Sequence, residues 1–94
     1  MQIVWSAAAL RDIAAIKAYI AAENPPAAER QVRLVVARIA DLELFPLMGR
    51  TGRIEGTREL IVSRTPYLVA YRLRDTDVEI LRVLHGRQRW PDRL

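Results

Sequence analysis

The residues of this 94-residue chain that could carry out acid–base chemistry lie in its second half, on segments with strand character. His85 is the only histidine, and histidine is the side chain that most readily exchanges a proton near neutral pH. Glu59 or Glu79 could serve as a base. Forked guanidinium groups suited to phosphate are carried by Arg58, Arg72, Arg82 and Arg87. Each also has a structural alternative, since a lone histidine closing a strand is commonly hydrogen-bonded in place and strand glutamates are commonly solvated or paired with arginine.

The end of the chain combines cations with an aromatic ring, because Arg87, Arg89 and Trp90 closely follow His85. Fourteen of the fifteen cationic residues are arginine, with Lys17 the exception, and the net charge is +4. A GC-rich gene would explain an excess of arginine and alanine but not the net charge, which favours acidic partners. For Trp90 the alternative is a ring that only fastens the end of the chain to the core.

Composition excludes several classes of protein. The chain has no cysteine, so disulfides cannot stabilise it, and a reducing cytoplasm is the expected location. No metal-ligand set and no cofactor motif is recognisable, so we expect neither a metal nor a cofactor. Three of the four glycines lie between Pro46 and Thr57, but that loop lacks the Gly-Lys-Ser/Thr ending of a phosphate-binding loop. The alanine-rich stretch from Ala7 to Ala22 contains Arg11, Asp12 and Lys17, so we expect no membrane segment.

The first half of the chain is predicted to be mostly helical. Gln2 to Trp5 form a short strand and Ser6 caps a helix from Ala7 to about Ala22, with an apolar stripe of Ala9, Ile13, Ile16 and Ile20. A second helix begins at Pro25 or Pro26 and runs to about Leu44, before Pro46. Its apolar seam consists of Ala28, Val32, Val35, Ile39 and Leu42. Because the link between the two helices is so short, they form an antiparallel hairpin. Trp5 and Tyr19 are expected in the core.

Three strands are predicted after the glycine-containing loop, over residues 58–62, 67–73 and 78–84, joined by short polar turns. The chain is therefore a single α+β domain, residues 1–94: an N-terminal strand and a two-helix hairpin packed on a three- to four-stranded antiparallel sheet. With the hairpin on one face, the other face is expected to be only partly covered, positively charged and open to an acidic partner.

Motifs along nearly the whole chain resemble those of the RelE/ParE toxin superfamily in their order and spacing. The resemblance is strongest to the ParE branch. The matching segments are Trp5-Ser6, Asp12-Ile13, Ile16, Tyr19-Ile20, Asn24-Pro25, Ala27-Ala28, Phe45-Pro46, Gly49-Arg50, Gly56 to Leu60, Pro66-Tyr67, Tyr71-Arg72 and Arg82 to Pro91. The resemblance implies the toxin of a type II toxin–antitoxin pair, of a kind associated with plasmid stabilisation. A cognate acidic, ParD-like antitoxin would neutralise it by folding over the hairpin and sheet to form a hetero-oligomer. We expect antitoxin contacts at Arg58, Leu60, Leu68, Tyr71, Arg72 and Arg82.

The superfamily divides by target, and both targets are considered. ParE-like toxins inhibit DNA gyrase without chemistry of their own, and the inhibiting residues would then be His85, Arg87, Arg89 and Trp90. RelE-like toxins cleave messenger RNA on the ribosome, and the catalytic set would then be His85, Arg72, Arg82 and Glu59. Leu68 stands where many RelE-like nucleases have an arginine, which favours gyrase. A third hypothesis is a non-catalytic nucleic-acid-binding or inactive interaction module, in which arginines and aromatic rings bind single strands.

Overall fold

The computed structural model describes all 94 residues, and the elements follow the chain in the predicted order. Strand β1 (Gln2–Trp5) is followed by helices α1 (Ala7–Ala21) and α2 (Pro25–Asp41). The remaining strands are β2 (Arg50–Thr51), β3 (Arg58–Ile61), β4 (Tyr67–Arg74) and β5 (Asp77–His85). Neither helix has the length and hydropathy that crossing a membrane requires.

Helix α1 begins after its predicted cap, Ser6, and α2 begins at Pro25, the first of the two predicted positions, with Asn24 as its cap. The Ser6 hydroxyl accepts a hydrogen bond from the Ala9 N–H at 3.0 Å, and the Asn24 side chain accepts one from the Ala27 N–H at 3.1 Å. The second helix ends at Asp41, three residues before the predicted Leu44. The amides of Leu42, Glu43 and Leu44 instead bond to carbonyls three residues back, so the chain tightens into turns there.

The sheet differs from the prediction in strand number and direction. It has five strands in the order β1-β5-β4-β3-β2, and β1 is parallel to β5, so the sheet is mixed and not purely antiparallel. The helical hairpin supplies the long crossover that parallel neighbours need. The fifth strand, β2, lies inside the predicted loop and pairs only Arg50 with Glu59 and Thr51 with Arg58.

A bulge in β5 determines which side chains face the helices. Ala70 pairs with Arg82 and the next residue, Tyr71, pairs with Ile80, so Leu81 is the extra residue. Ile80 and Val83 therefore both reach the core, while Arg82 points to the opposite face. The Ser6 hydroxyl donates to the Leu81 carbonyl at 2.9 Å, which holds the bulge where the chain leaves β1 for α1.

The core lies between the hairpin and one face of the sheet. The predicted seam of α2 is confirmed at Ala28, Val35, Ile39 and Leu42, which are buried, while its fifth member, Val32, is half-buried. The sheet contributes Leu60, Val69, Tyr71, Val78, Ile80 and Val83. Trp5 packs partly buried against this core, but Tyr19 is 75% exposed and its predicted core position is wrong, because it flanks the apolar stripe of α1.

The loop between α2 and β2 is fastened to the sheet by a buried phenol. The Tyr71 hydroxyl donates to the Pro46 carbonyl at 2.7 Å and accepts from the Gly49 N–H at 2.9 Å. Burial raises the pKa of Tyr71, although the hydrogen bond from Gly49 and the charge of Arg58 act in the opposite direction. Tyr71 therefore stays neutral and sets the position at which β2 begins.

The opposite side of the sheet, here called the outer face, is better covered than the sequence suggested. Side chains that alternate away from the helices include Glu59, Leu68, Ala70, Arg72, Arg82 and Leu84. Leu68 is only 6% exposed, and Ala70 and Leu84 are fully buried. The expectation of a half-open outer face is thus wrong at its centre. The C-terminal segment, residues 86–94, returns to this side of the sheet, where Trp90 stacks on Arg53, an ion-pair partner of Glu59.

Candidate functional site

The four residues of the nuclease hypothesis do not converge on one point. His85 pairs with Tyr67 and shares its face, the side of the sheet that carries the hairpin. Glu59, Arg72 and Arg82 belong to the outer face. A base, an acid and phosphate-binding cations must surround one reacting phosphate. This arrangement does not bring them together.

His85 is held by local contacts at the end of β5. Its Nδ1 accepts a hydrogen bond from the Arg87 N–H at 3.0 Å, and its own N–H donates to the Gln88 side chain at 3.1 Å. Its ring meets the edge of the Tyr67 ring, with 5.7 Å between centroids. These contacts give His85 a clear structural task, because they turn the chain from β5 into the C-terminal segment.

Glu59 is a buried carboxylate at the centre of an ion-pair cluster. Its side chain is 3% exposed and accepts from Arg50 at 3.1 Å, from the Arg53 N–H at 2.8 Å and from the Arg53 Nε at 3.2 Å. Burial alone would raise the pKa of Glu59, but the hydrogen bonds and charge of Arg53, together with the hydrogen bond from Arg50, outweigh it and hold the pKa below its usual value. A carboxylate so fully engaged is a poor general base.

Arg72 and Arg82 are also paired within the chain. Arg72 makes two contacts of 3.3 Å with the carboxylate of Glu79. Arg82 forms a bidentate pair with Asp12 at 2.7 and 2.9 Å, and the same carboxylate accepts the Val83 N–H at 2.9 Å. The hydrogen bonding of Arg82 to Asp12, together with the charge of that carboxylate, raises the pKa of Arg82 against the opposing effect of burial. Neither guanidinium is free to bind a phosphate in this conformation.

The six residues predicted to contact the antitoxin differ in accessibility. Leu60, Leu68 and Tyr71 are buried, so they offer a partner little or no direct surface in this conformation. Arg58 is half-buried and donates to the Gly49 carbonyl at 2.7 Å. The structure thus places these residues in or beside the sheet but presents only part of each arginine to solvent.

The C-terminal segment, residues 86–94, presents the free charge expected of a binding surface. The side chains of Arg87 and Arg89 are exposed and form no ion pair. Trp90 is half-buried, and the Arg53 guanidinium lies 3.7 Å from the centre of its ring. A shallow cavity beside the ring is lined by Arg82, Gln88, Arg89, Trp90, Pro91 and Asp92.

Sequence reasoning missed two residues of this region, Asp12 and Arg53. Asp12 is a charged residue between the apolar positions Ala9, Ile13 and Ile16, and that interruption was the available signal. Arg53 lies in a loop whose path no periodicity could predict. Its two contacts, with Glu59 and with Trp90, connect the sheet to the C-terminal segment.

Comparison with known proteins places this arrangement in a family. Residues 3–90 match the family model described as the ParE toxin of the type II toxin–antitoxin system parDE. The protein Y4kP of Sinorhizobium fredii is 43% identical over 90 residues, which is 96% of this chain and 93% of that protein. Toxin RelE2 of Caulobacter vibrioides is 36% identical over 85 residues, which is 90% of this chain and 94% of that protein.

Solved structures agree with the sequence matches. The chromosomal ParDE toxin–antitoxin system of P. aeruginosa contains a chain with a TM-score of 0.84 and 25% identity, covering 90% of this chain and 95% of that one. The RelBE2 toxin–antitoxin complex of Mycobacterium tuberculosis contains one with a TM-score of 0.65 and 32% identity, covering 89% and 95%. Matching fold, matching order of motifs and near-complete coverage support a single conclusion: this chain belongs to the ParE toxin family of type II toxin–antitoxin systems, within the RelE/ParE superfamily.

Proposed function

We propose that this toxin inhibits growth by binding DNA gyrase and that a cognate, acidic ParD-like antitoxin neutralises it. The observation that carries the choice of gyrase is the separation of His85 from Glu59, Arg72 and Arg82, which lie on the other face of the sheet and are bound by other side chains. A toxin that acts by binding needs no assembled acid–base set. It needs an accessible surface, and the C-terminal segment with Arg87, Arg89 and Trp90 supplies one.

Ribosome-dependent cleavage of messenger RNA is the competing function, since similarity extends to a protein named Toxin RelE2. One experiment distinguishes gyrase inhibition from messenger-RNA cleavage. The chain is expressed in growing cells, and both plasmid topology and total RNA are followed. Loss of negative supercoiling and a DNA-damage response with intact transcripts are expected. Cleaved transcripts with normal plasmid topology would overturn the gyrase proposal. The purified chain should also inhibit gyrase supercoiling in vitro, and the antitoxin should relieve that inhibition.

The antitoxin proposal is supported by a free strand edge beside α2. Because the Val62 N–H donates to the Tyr67 carbonyl, the alternation of an antiparallel ladder turns the N–H and C=O of Ile61 away from β4. Strand β2 ends before it reaches Ile61, whose side chain is 53% exposed. An edge of this kind accepts an added strand from a partner.

The surroundings of this edge favour an acidic, extended segment. The adjoining groove is lined by Leu34, Arg38, Met48, Leu60, Ile61 and Arg64 among others. Its two carboxylates, Asp41 and Glu59, are each paired with an arginine of the same chain. Arg64 has no ion pair within the chain, so an acidic residue of the partner would find a free cation at the end of the strand.

Substitution at Ile61 tests this mode of binding. Ile61→Pro removes the outward N–H, which the sheet does not use, and edge strands tolerate proline. We expect antitoxin affinity to fall about tenfold, the cost of roughly one net hydrogen bond plus a steric clash. Ile61→Thr keeps the N–H and is the matched control. Equal affinity of the two variants in a calorimetric titration would show that the antitoxin does not pair with β3.

A further inference from the structure

The loop that follows β2 and the C-terminal segment meet at one side chain, Arg53. Its guanidinium stacks on Trp90 at 3.7 Å, while its Nε and its backbone N–H both bind Glu59. Arg53 thus joins a buried carboxylate of the sheet to the only aromatic ring of the C-terminal segment.

The two side chains that Arg53 connects, Glu59 and Trp90, differ in how strongly other contacts hold them. Glu59 belongs to β3, is 3% exposed and is held by Arg50 as well as by Arg53. Trp90 has no comparable polar anchor, because its indole nitrogen is buried without a hydrogen-bond acceptor in reach. Apart from apolar burial, the cation–π contact with Arg53 is therefore the interaction that holds the Trp90 ring in place.

The local backbone presents Arg53 at this place. The Gly52 N–H donates to the Thr57 carbonyl at 2.8 Å, and the Thr57 hydroxyl donates to the Ile54 carbonyl, so residues 52–57 form a closed turn. Gly56 has a positive φ of 81°, which suits glycine at the tip of that turn. The turn leaves the Arg53 N–H pointing at Glu59 and its side chain directed over the outer face.

We propose that Arg53 is a positioning residue that fixes the C-terminal segment, and with it Arg87 and Arg89, in the conformation that meets the target. Only a planar guanidinium can stack on an indole ring while its Nε donates to a carboxylate. This inference rests on the proposed function, since it assumes that the C-terminal segment contacts the target. It assigns Glu59 the task of orienting Arg53.

The chain contains a matched control for the test. Arg50 binds the same carboxylate as Arg53, at 3.1 Å, yet makes no stacking contact with Trp90. Arg50→Ala and Arg53→Ala each remove one cation from Glu59, but only Arg53→Ala removes the cation–π contact with the Trp90 ring. The two tryptophans, Trp5 and Trp90, give two indole N–H signals by NMR, so Trp5 reports the integrity of the fold in the same spectrum.

The structural arm measures the exchange of the Trp90 indole proton with water. Exchange should be faster by about tenfold in Arg53→Ala, as expected for loss of a partly desolvated cation–π contact, and unchanged in Arg50→Ala. In Arg53→Lys, which retains the charge but not the planar stack, the exchange rate should lie between those of the unsubstituted protein and Arg53→Ala. In a double-mutant cycle, Arg53→Ala and Trp90→Leu should be non-additive in their effect on unfolding. Unchanged exchange in Arg53→Ala, or strict additivity in the cycle, would overturn the proposal.

The functional arm measures growth inhibition and antitoxin affinity in the same variants. Arg53→Ala should weaken growth inhibition about tenfold, while its antitoxin affinity stays close to that of Arg50→Ala. If the Trp90 indole proton exchanges faster in Arg53→Ala but growth inhibition is unchanged, the proposal that Arg53 fixes the segment would be supported. The proposal that this segment contacts the target would then be the one that fails.

Discussion

Single side chains hold the two halves of the molecule together, and Asp12 shows this most directly. Its carboxylate on α1 accepts three hydrogen bonds from β5, two from Arg82 and one from the Val83 N–H. The side chains of Asp12 and Arg82 are 15% and 23% exposed, so the pair is only weakly screened by solvent. A contact of this kind stabilises the helix against the sheet edge that β1 leaves uncovered.

Asp12→Ala should lower the free energy of unfolding by about 2–3 kcal/mol, because it leaves a partly buried guanidinium and a backbone N–H without partners. Urea denaturation measures this loss. Glu29→Ala is the control, since it breaks an ion pair with Arg33 whose side chains are 72% and 68% exposed, respectively. That variant should lose no more than about 0.5 kcal/mol. Similar losses for the two variants would contradict the role given to Asp12.

The contact between Gly49 and Tyr71 leads to a second prediction. A Cβ at position 49 would lie 2.7 Å from both the Cε1 and the hydroxyl oxygen of Tyr71, whose side chain is fully buried. Gly49→Ala should therefore destabilise the protein by about 2 kcal/mol through overpacking. Tyr71→Phe should cost about 1–2 kcal/mol, because the Gly49 N–H and the Pro46 carbonyl lose their partner.

The two substitutions should also be coupled, since removing the hydroxyl removes one of the atoms that a Cβ at position 49 would meet. The double variant should be less destabilised than the sum of the single variants in denaturant unfolding. Gly86→Ala is the control, because its nearest neighbour is the Pro66 carbonyl oxygen at 3.4 Å. Additive losses would show that the loop moves to relieve the clash.

At the scale of elements, prediction succeeded where periodicity is sustained. The helices and the three longer strands extend over enough residues for apolar spacing, caps and proline positions to agree, and α1 and β1 begin where predicted. Strand β2 was missed because two exposed residues carry no pattern, and its pairing depends on where Tyr71 holds the preceding loop. The bulge at Leu81 was missed because register is set by both paired strands and by Ser6, not by β5 alone.

The candidate site was predicted in part, and the difference has an electrostatic cause. Sequence reasoning located the cations and carboxylates on the correct strands, but alternation alone could not show which of them pair. Glu59, considered as a base, lies between Arg50 of β2 and Arg53 of the following loop. Arg82, considered as a free cation, meets Asp12 of a helix 70 residues away. The Arg82–Asp12 pair joins residues 70 positions apart, and the Glu59 pairs depend on how the chain turns between β2 and β3, so no local pattern reports either contact.

The Glu59 cluster ties β2 and β3 together and predicts a dependence of stability on pH. A carboxylate whose pKa is lower in the folded protein than its usual 4.5 stabilises the fold above that value, and the stabilisation is lost as the pH falls through the folded pKa. The free energy of unfolding should therefore decrease as the pH is lowered below about 4.5, and Glu59→Gln should make that decrease shallower. Urea unfolding at several pH values measures both. Glu55→Gln, at an exposed glutamate without an ion pair, should leave the decrease unchanged, and an equal effect in the two variants would contradict the assignment.

For the whole molecule, the distribution of unpaired charge matters more than the net charge of +4. Most arginines near the sheet bind carboxylates or carbonyl oxygens of the same chain, whereas Arg87, Arg89 and Arg93 at the end of the chain form no ion pair. The other cationic side chains without an ion pair or a hydrogen bond, Arg11, Lys17, Arg30 and Arg64, are spread along the chain, whereas these three lie within residues 87–93 together with Trp90. An acidic surface of a partner would be drawn to this end of the molecule first.

The combined substitution Arg87→Ala and Arg89→Ala tests this distribution without disturbing the fold. Because both side chains are exposed and unpaired, the free energy of unfolding should change by no more than about 0.5 kcal/mol. Growth inhibition should decrease, and target binding should depend less steeply on salt concentration, since fewer charges take part. The combined substitution Arg11→Ala and Arg30→Ala removes the same charge from exposed, unpaired positions on the two helices. Equal loss of growth inhibition in both double variants would mean that net charge alone, and not its placement beside Trp90, governs binding to the target.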